Sequence, residues 1–289
     1  MMKDLNDINK LDKNNLTVTC TTNERYVPFL KAFLNSLLMN SKNTQVVVRL
    51  VNVSESTTSD LLMTYDFDNI IFLEDIIQID QKRTTLLDVA ENKTYKELLK
   101  RVKKRANQTG CHDFISNEGA YCSNIKFNTM NHLLSLGFDV VMYLDVDTLV
   151  RDDINHMKDM MIDHDIGMYI DSREVDIYKT YHGDTYTGFS AGLMLVKRTD
   201  LSRHMYKLIE NRVMENIHNI EADEDEFDLV YKMFEDTIKM QRFGDRYKDQ
   251  GPDFRDNSYM WSGKSEAKGS NGRYIEEYNN YLHLKNTRV

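Results

Sequence analysis

The chain has 289 residues, of which 41% are hydrophobic, and carries a formal charge of −9. That length and apolar content suffice for one sizeable α/β core, and without repeats or Gly/Ser- and Pro-rich stretches to mark a linker, residues 1–289 read as a single domain. The acidic balance excludes a protein that coats nucleic-acid phosphates, because such binding relies on clustered Lys and Arg.

In chain order, "MMKDLNDINKLDKNN" has no apolar signal core and no run of 18 apolar residues follows it, so a cytoplasmic protein without a transmembrane segment is expected. "LTVTCTT" (16–22) and "QVVVRLVNV" (45–53) are β-branched runs flanking "YVPFLKAFLNSLLM", whose apolar residues recur at helical spacing, which makes a βαβ unit. A short helix at "TTSDLLMTY" and a strand at "NIIFLED" follow, then a basic helix at "YKELLKRVKKRA" and a longer one from "EGAYCSN" to Gly137. "FDVVMYLDVD" is next, an apolar run of the kind found mid-sheet with both faces covered. The order predicts an open, mostly parallel sheet flanked by helices, with ligands beyond the carboxyl ends of its strands. Cys20, Cys111 and Cys122 fit no disulfide framework or metal spacing and read as reduced structural thiols.

Asp145 and Asp147 stand at the carboxyl end of that central run. On an extended segment alternate residues point the same way, so both carboxylates would reach one object. A divalent cation is the simplest compensation for the paired charge, and hard oxygens suit Mn2+ or Mg2+, which also bridge to substrate phosphates. Asp-x-Asp occurs also at 66/68, 163/165 and 223/225, but the pairs at 66 and 163 precede their strands and read as solvated turns.

"MYLDVDTLVRDDI", with "TTNERYVPF" near the start, "TGFSAGLMLVKRTD" in the middle and "HLKNTR" at the end, resembles the GT-A nucleotide-sugar glycosyltransferases, and most closely family 8, which contains glycogenin and lipopolysaccharide galactosyltransferases. The resemblance implies a GT-A, Rossmann-like fold, and a hexose moved from a UDP-sugar, UDP-glucose or UDP-galactose, to an acceptor hydroxyl on a sugar, protein or lipid-linked carrier. Retention of configuration goes with it.

Residue by residue, the resemblance implies that Thr21, Thr22 and Asn23 bind uracil while Tyr26 stacks on it; the alternative is that Thr22 or Asn23 caps the following helix. Lys126 would neutralise the diphosphate, although Asn128 sits nearer one family spacing and an exposed helix lysine is the alternative. Ser190, Ala191 and Gly192 would lie beside the sugar, with Ser where the pattern has Asn, or else form an ordinary buried strand. Asp223, Glu224 and Asp225 match an Asp-Gln-Asp helix start beside the reacting carbon, with Glu in place of Gln; acidic residues also favour any helix amino terminus. His283 would complete the metal shell with Asp145 and Asp147, and Lys285 or Arg288 would hold the diphosphate, although Asn286 replaces the usual Gly. Residues 244–289 read as a lid and metal-ligand segment, with Trp261 a possible sugar platform. Three other readings remain open: an inverting transferase using a carboxylate of 223–225 as base, a nucleotidyltransferase, and a non-catalytic nucleotide-sugar-binding protein. The nucleotidyltransferase would require a Gly-rich phosphate loop, which "TTNERYVPF" lacks.

Overall fold

A computed structural model describes residues 2–78, 117–170, 189–218, 222–250, 254–263 and 272–284. The basic helix expected at 95–106, Cys111, and the terminal Lys285, Asn286 and Arg288 lie outside the described residues.

The first βαβ unit forms as the spacing predicts. Strand β2 (Leu16–Asn23) leads into α1 (Val27–Asn40) and β3 (Gln45–Val51). Helix α1 starts on Pro at its first turn, where the missing N–H is no loss. Helix α2 (Glu55–Thr64), capped by Ser54, then leads to β4 (Ile70–Asp75). Every residue of β2 and β3 is buried, because helices cover the sheet on both faces. On one face Leu30, Phe33, Leu34 and Leu37 of α1 pack on Val18, Val46, Val48 and Met142. On the other, Phe127, Met130, Tyr206, Ile209 and Phe227 pack on Val47, Ile71, Val141 and Tyr143.

The long helix expected from residue 118 to 137 is broken at Ile125 into α3 (Asn117–Asn124) and α4 (Lys126–Ser135), and Gly137 terminates it at φ +99°. Beyond it run β5 (Val140–Leu144), the short β6 (Thr148–Val150), β7 (Ile166–Ile170), β8 (Phe189–Lys197), α5 (Asp200–Glu215), α6 (Ala222–Phe234) and β9 (Met240–Phe243). With the short β1 (Met2–Asp4), the eight-stranded sheet has the order β1-β4-β3-β2-β5-β8-β7-β9. Its centre, β4-β3-β2-β5, is parallel as expected, whereas β8 runs antiparallel to both β5 and β7. The register jumps from Met168↔Met194 to Tyr169↔Ser190, so Ala191, Gly192 and Leu193 have no partner on β7. A bulge of this kind re-aims backbone beside a site.

The polar carboxyl-terminal part belongs to the body of the fold. Strand β10 (Met260–Ser262) pairs with β6, and α7 (Arg273–Leu282) packs on α1 through Tyr278 and Phe29, whose rings lie 5.0 Å apart. The segment leading to His283 is therefore helical as far as Leu282. Trp261 is fully buried, sandwiched between Phe254 at 4.5 Å and the Arg151 guanidinium at 3.8 Å, and offers no sugar platform.

Candidate active site

Strand β5 ends at Leu144 and the chain turns at once: the Thr148 N–H donates to the Asp145 carbonyl at 3.0 Å. Asp145 and Asp147 therefore sit in a turn instead of alternating on an extended segment, and both remain partly accessible. Distant segments fix this turn. The Asp145 N–H donates to the Gly192 carbonyl at 3.1 Å, while the Asp147 carbonyl accepts from the Gly263 N–H at 3.1 Å and the Tyr274 hydroxyl at 2.6 Å.

Lys126, at the break between α3 and α4, is 2% exposed and is not a surface lysine. Its ammonium lies 2.7 Å from Asp223 Oδ2, donates to the Ala191 carbonyl at 3.1 Å and sits 4.7 Å above the Tyr143 ring. Burial alone pushes its pKa down, but Asp223, Asp145 and Glu224 outweigh that and hold it above the usual lysine value. Asp223 also accepts from Ser123 Oγ at 3.1 Å, and its N–H donates to Asn124 Oδ1 at 3.1 Å, so the break in the helix is where α6 docks. Glu224 accepts from the Ala191 N–H at 3.2 Å. Asp225 is exposed in the same acidic first turn, where the helix dipole favours it.

A second buried lysine escaped the sequence analysis. Lys248, in the polar segment after β9, is 2% exposed overall; its ammonium lies 3.5 Å from Asp145 Oδ2 and donates to Ser190 Oγ at 3.2 Å. Gly192 makes this possible, since a β-carbon there would come within 1.9 Å of the ammonium and 2.0 Å of the carboxylate. The space beside Gly192 is thus filled by an ion pair. No local pattern marks "RYKDQ" as buried, and the only sequence signal is the small residue at 192.

The other expected residues are placed differently. His283 is the exposed carboxyl cap of α7, because Tyr274, Tyr278 and Tyr281 make this segment an amphipathic helix lying on α1. It is not brought to Asp145 and Asp147, and among the described residues no three His, Cys, Asp or Glu side chains gather as metal ligands. Two hard carboxylates on one turn still fit Mn2+ or Mg2+ in the mode where substrate phosphates and water complete the shell. Asn23 accepts from the Tyr26 N–H at 3.3 Å and so caps the turn before α1, and the Tyr26 ring packs 5.5 Å from Phe29. Thr22 donates to the Asn23 carbonyl at 3.2 Å, while the buried Thr21 hydroxyl has no partner among the described residues. Asn128 bridges Arg49 and Glu210, at 2.7 Å to each, on the far side of α4. A cavity of about 550 Å³ between α4 and α5, lined by His132, Arg203 and Lys207 among others, shares no residue with the Asp145 site.

No family model and no curated protein matches the sequence. Solved structures do match. The galactosyltransferase LgtC, as an active-site glutamine-to-glutamate mutant, superposes with TM-score 0.56 at 16% identity over 94% of this chain and 97% of that one. The bifunctional glycosyltransferase WbbM superposes with TM-score 0.59 at 14% identity, over 98% of this chain and 51% of that one. The glycosyltransferase GlyE of Streptococcus pneumoniae gives 0.55 at 13% identity over 94% of this chain, which spans 61% of the GlyE chain. The fold is that of a GT-A glycosyltransferase. In GT-A terms the acidic turn follows the central strand, with β8 and the start of α6 beside it.

Proposed function

We propose that the chain moves a hexose, glucose or galactose, from a UDP-sugar to an acceptor hydroxyl with retention of configuration. The observation that carries this reading is the set of contacts around Ala191 and Gly192: the Lys126 ammonium joins the Ala191 carbonyl to Asp223, the Ala191 N–H donates to Glu224, and the Gly192 carbonyl accepts from the Asp145 N–H, which draws together the acidic turn, the start of β8 and the start of α6. Thr19 of β2 pairs with Tyr143 of the parallel β5, so the end of β2 (Thr21–Asn23) runs on beside the acidic turn that follows Leu144, and the two would border one crevice. The unpartnered Thr21 hydroxyl suits the polar edge of uracil.

Asp145 and Asp147 would hold Mn2+ or Mg2+, which when bound neutralises the diphosphate charge as the glycosidic bond breaks. Glu224, oriented by the Ala191 N–H, places a negative charge where the anomeric carbon becomes positive. Asp223 is committed to Lys126 and positions Glu224; Asp225 faces solvent. The carboxylate at 224 supports a second reading, inversion with Glu224 as base, and the configuration of the product separates the two.

Hydrolysis of UDP-glucose or UDP-galactose in the presence and absence of EDTA tests the assignment. Asp147→Ala and Asp145→Asn should lower turnover about a hundredfold or more with cooperative melting preserved. Asparagine is chosen at 145 because it removes the charge yet keeps an oxygen that can accept from the Lys248 ammonium. Asp66→Ala and Asp163→Ala, on exposed turn residues, should be silent. Full activity in either site variant would remove the acidic turn from the mechanism.

A further inference from the structure

We propose that Lys248 is a built-in cation of the donor site: it shares Asp145 with the divalent metal, weakening metal binding to the free protein and allowing UDP to bind without metal. The proposal rests on the reading of Asp145 and Asp147 as the donor diphosphate site. Its grounds are geometric. An ammonium whose side chain is 3% exposed needs a counter-charge, and Asp145 at 3.5 Å supplies one while its own side chain keeps 41% exposure. One carboxylate thus faces a fixed cation beneath it and the crevice above.

The seat for that cation is built into the sheet. The bulge frees Ala191, Gly192 and Leu193 from β7, the absent side chain at 192 leaves the volume that the ammonium and carboxylate fill, and Ser190 Oγ accepts a hydrogen bond from the ammonium at 3.2 Å. The Tyr169 ring closes the seat, its centroid 5.9 Å from the nitrogen. Two consequences follow from the placement of charge. A metal ion on Asp145 is repelled by an ammonium 3.5 Å from the same carboxylate, and no third protein ligand among the described residues offsets this. A diphosphate beside Asp145, in contrast, lies near a positive charge that is present before any metal arrives.

Two measurements on the full chain decide the matter. Electron paramagnetic resonance of Mn2+ without nucleotide should show roughly tenfold or tighter binding by Lys248→Met than by the wild type, with Lys248→Arg resembling the wild type. Calorimetry in EDTA should show UDP binding by the wild type and roughly tenfold weaker binding by Lys248→Met. Lys248→Gln, which keeps a polar partner for Ser190, is measured alongside in case the methionine variant does not fold. Equal Mn2+ affinities for the charged and neutral residue, no Mn2+ binding by either, or loss of wild-type UDP binding in EDTA while it persists with Mn2+ would each overturn the proposal. Failure of the wild type to bind UDP under any condition would overturn the glycosyltransferase reading instead. The Mn2+ comparison, made without nucleotide, still decides whether Lys248 and metal compete for Asp145.

Discussion

Lys126 carries a charge that its own helix does not explain. Both it and Asp223 are almost fully buried, and such a pair is retained only because each partner compensates the other. Removing one leaves an uncompensated charge in the interior, at a cost of about 3–5 kcal/mol, whereas replacing both by apolar groups of similar size is far milder. Asp223→Ala should therefore lower unfolding free energy in urea by about that amount, and Lys126→Met combined with Asp223→Leu should recover most of it. The double variant should still lack turnover, because the Ala191 carbonyl and the start of α6 lose the contacts that aim Glu224. An additive double-mutant cycle, with no recovery of stability, would show that the two residues act separately. The raised lysine pKa keeps the pair charged through neutral pH; its contribution is present below the unfolded lysine value and is lost as pH climbs through the folded one.

Elements from the carboxyl-terminal part of the chain hold the acidic turn. Strand β10 brings Gly263 to the Asp147 carbonyl, and α7 brings Tyr274, whose hydroxyl donates to the same oxygen at 2.6 Å. Contact is so close that a β-carbon at 263 would come within 2.5 Å of the Tyr274 ring. Tyr274→Phe removes only the hydroxyl, and should cost about 1 kcal/mol of stability and weaken UDP binding several-fold in calorimetry, with Trp261 fluorescence unchanged. Unaltered UDP affinity would mean that Gly263 alone suffices to set the turn. Part of this arrangement was legible. Tyr274, Tyr278 and Tyr281, with Ile275 and Leu282, keep the helical spacing that α7 adopts, and that helix leaves His283 as its exposed carboxyl cap. The break at Ile125 was not legible, because the apolar pattern runs unbroken through it and the break is set by Asn124 and Lys126 meeting α6.

Across the whole molecule, the parallel centre of the sheet could be read because two-sided burial writes itself as continuous apolar runs in β2, β3 and β5. The reversed β8 and the Lys248 seat could not, since strand direction and a pairing between residues 190 and 248 are properties of tertiary contact. The same tertiary ties shape the response to acid. Glu24 accepts from the Ser54 N–H at 2.8 Å and Thr57 Oγ1 at 2.6 Å, joining the loop after β2 to the start of α2. Asp153 accepts from Ser41 Oγ at 2.7 Å and the Asn155 N–H at 3.0 Å, joining the exit of β6 to the end of α1. Hydrogen bonds from Thr57 and Ser54 lower the Glu24 pKa against slight burial; for Asp153 burial acts upward, but Asn155 and Ser41 outweigh it. Both folded pKa values thus lie below the unfolded ones, so the stabilisation is complete above the unfolded carboxylate range near pH 4 and is lost as pH falls through the folded values. Both groups are largely exposed, which keeps the effect modest. Urea midpoints recorded from pH 7 down to about pH 3 should fall for the wild type, and less steeply for Glu24→Gln combined with Asp153→Asn. An identical slope in the double variant would assign the acid response to other carboxylates and would leave these two ties without a role in holding β2 and β6 to their helices.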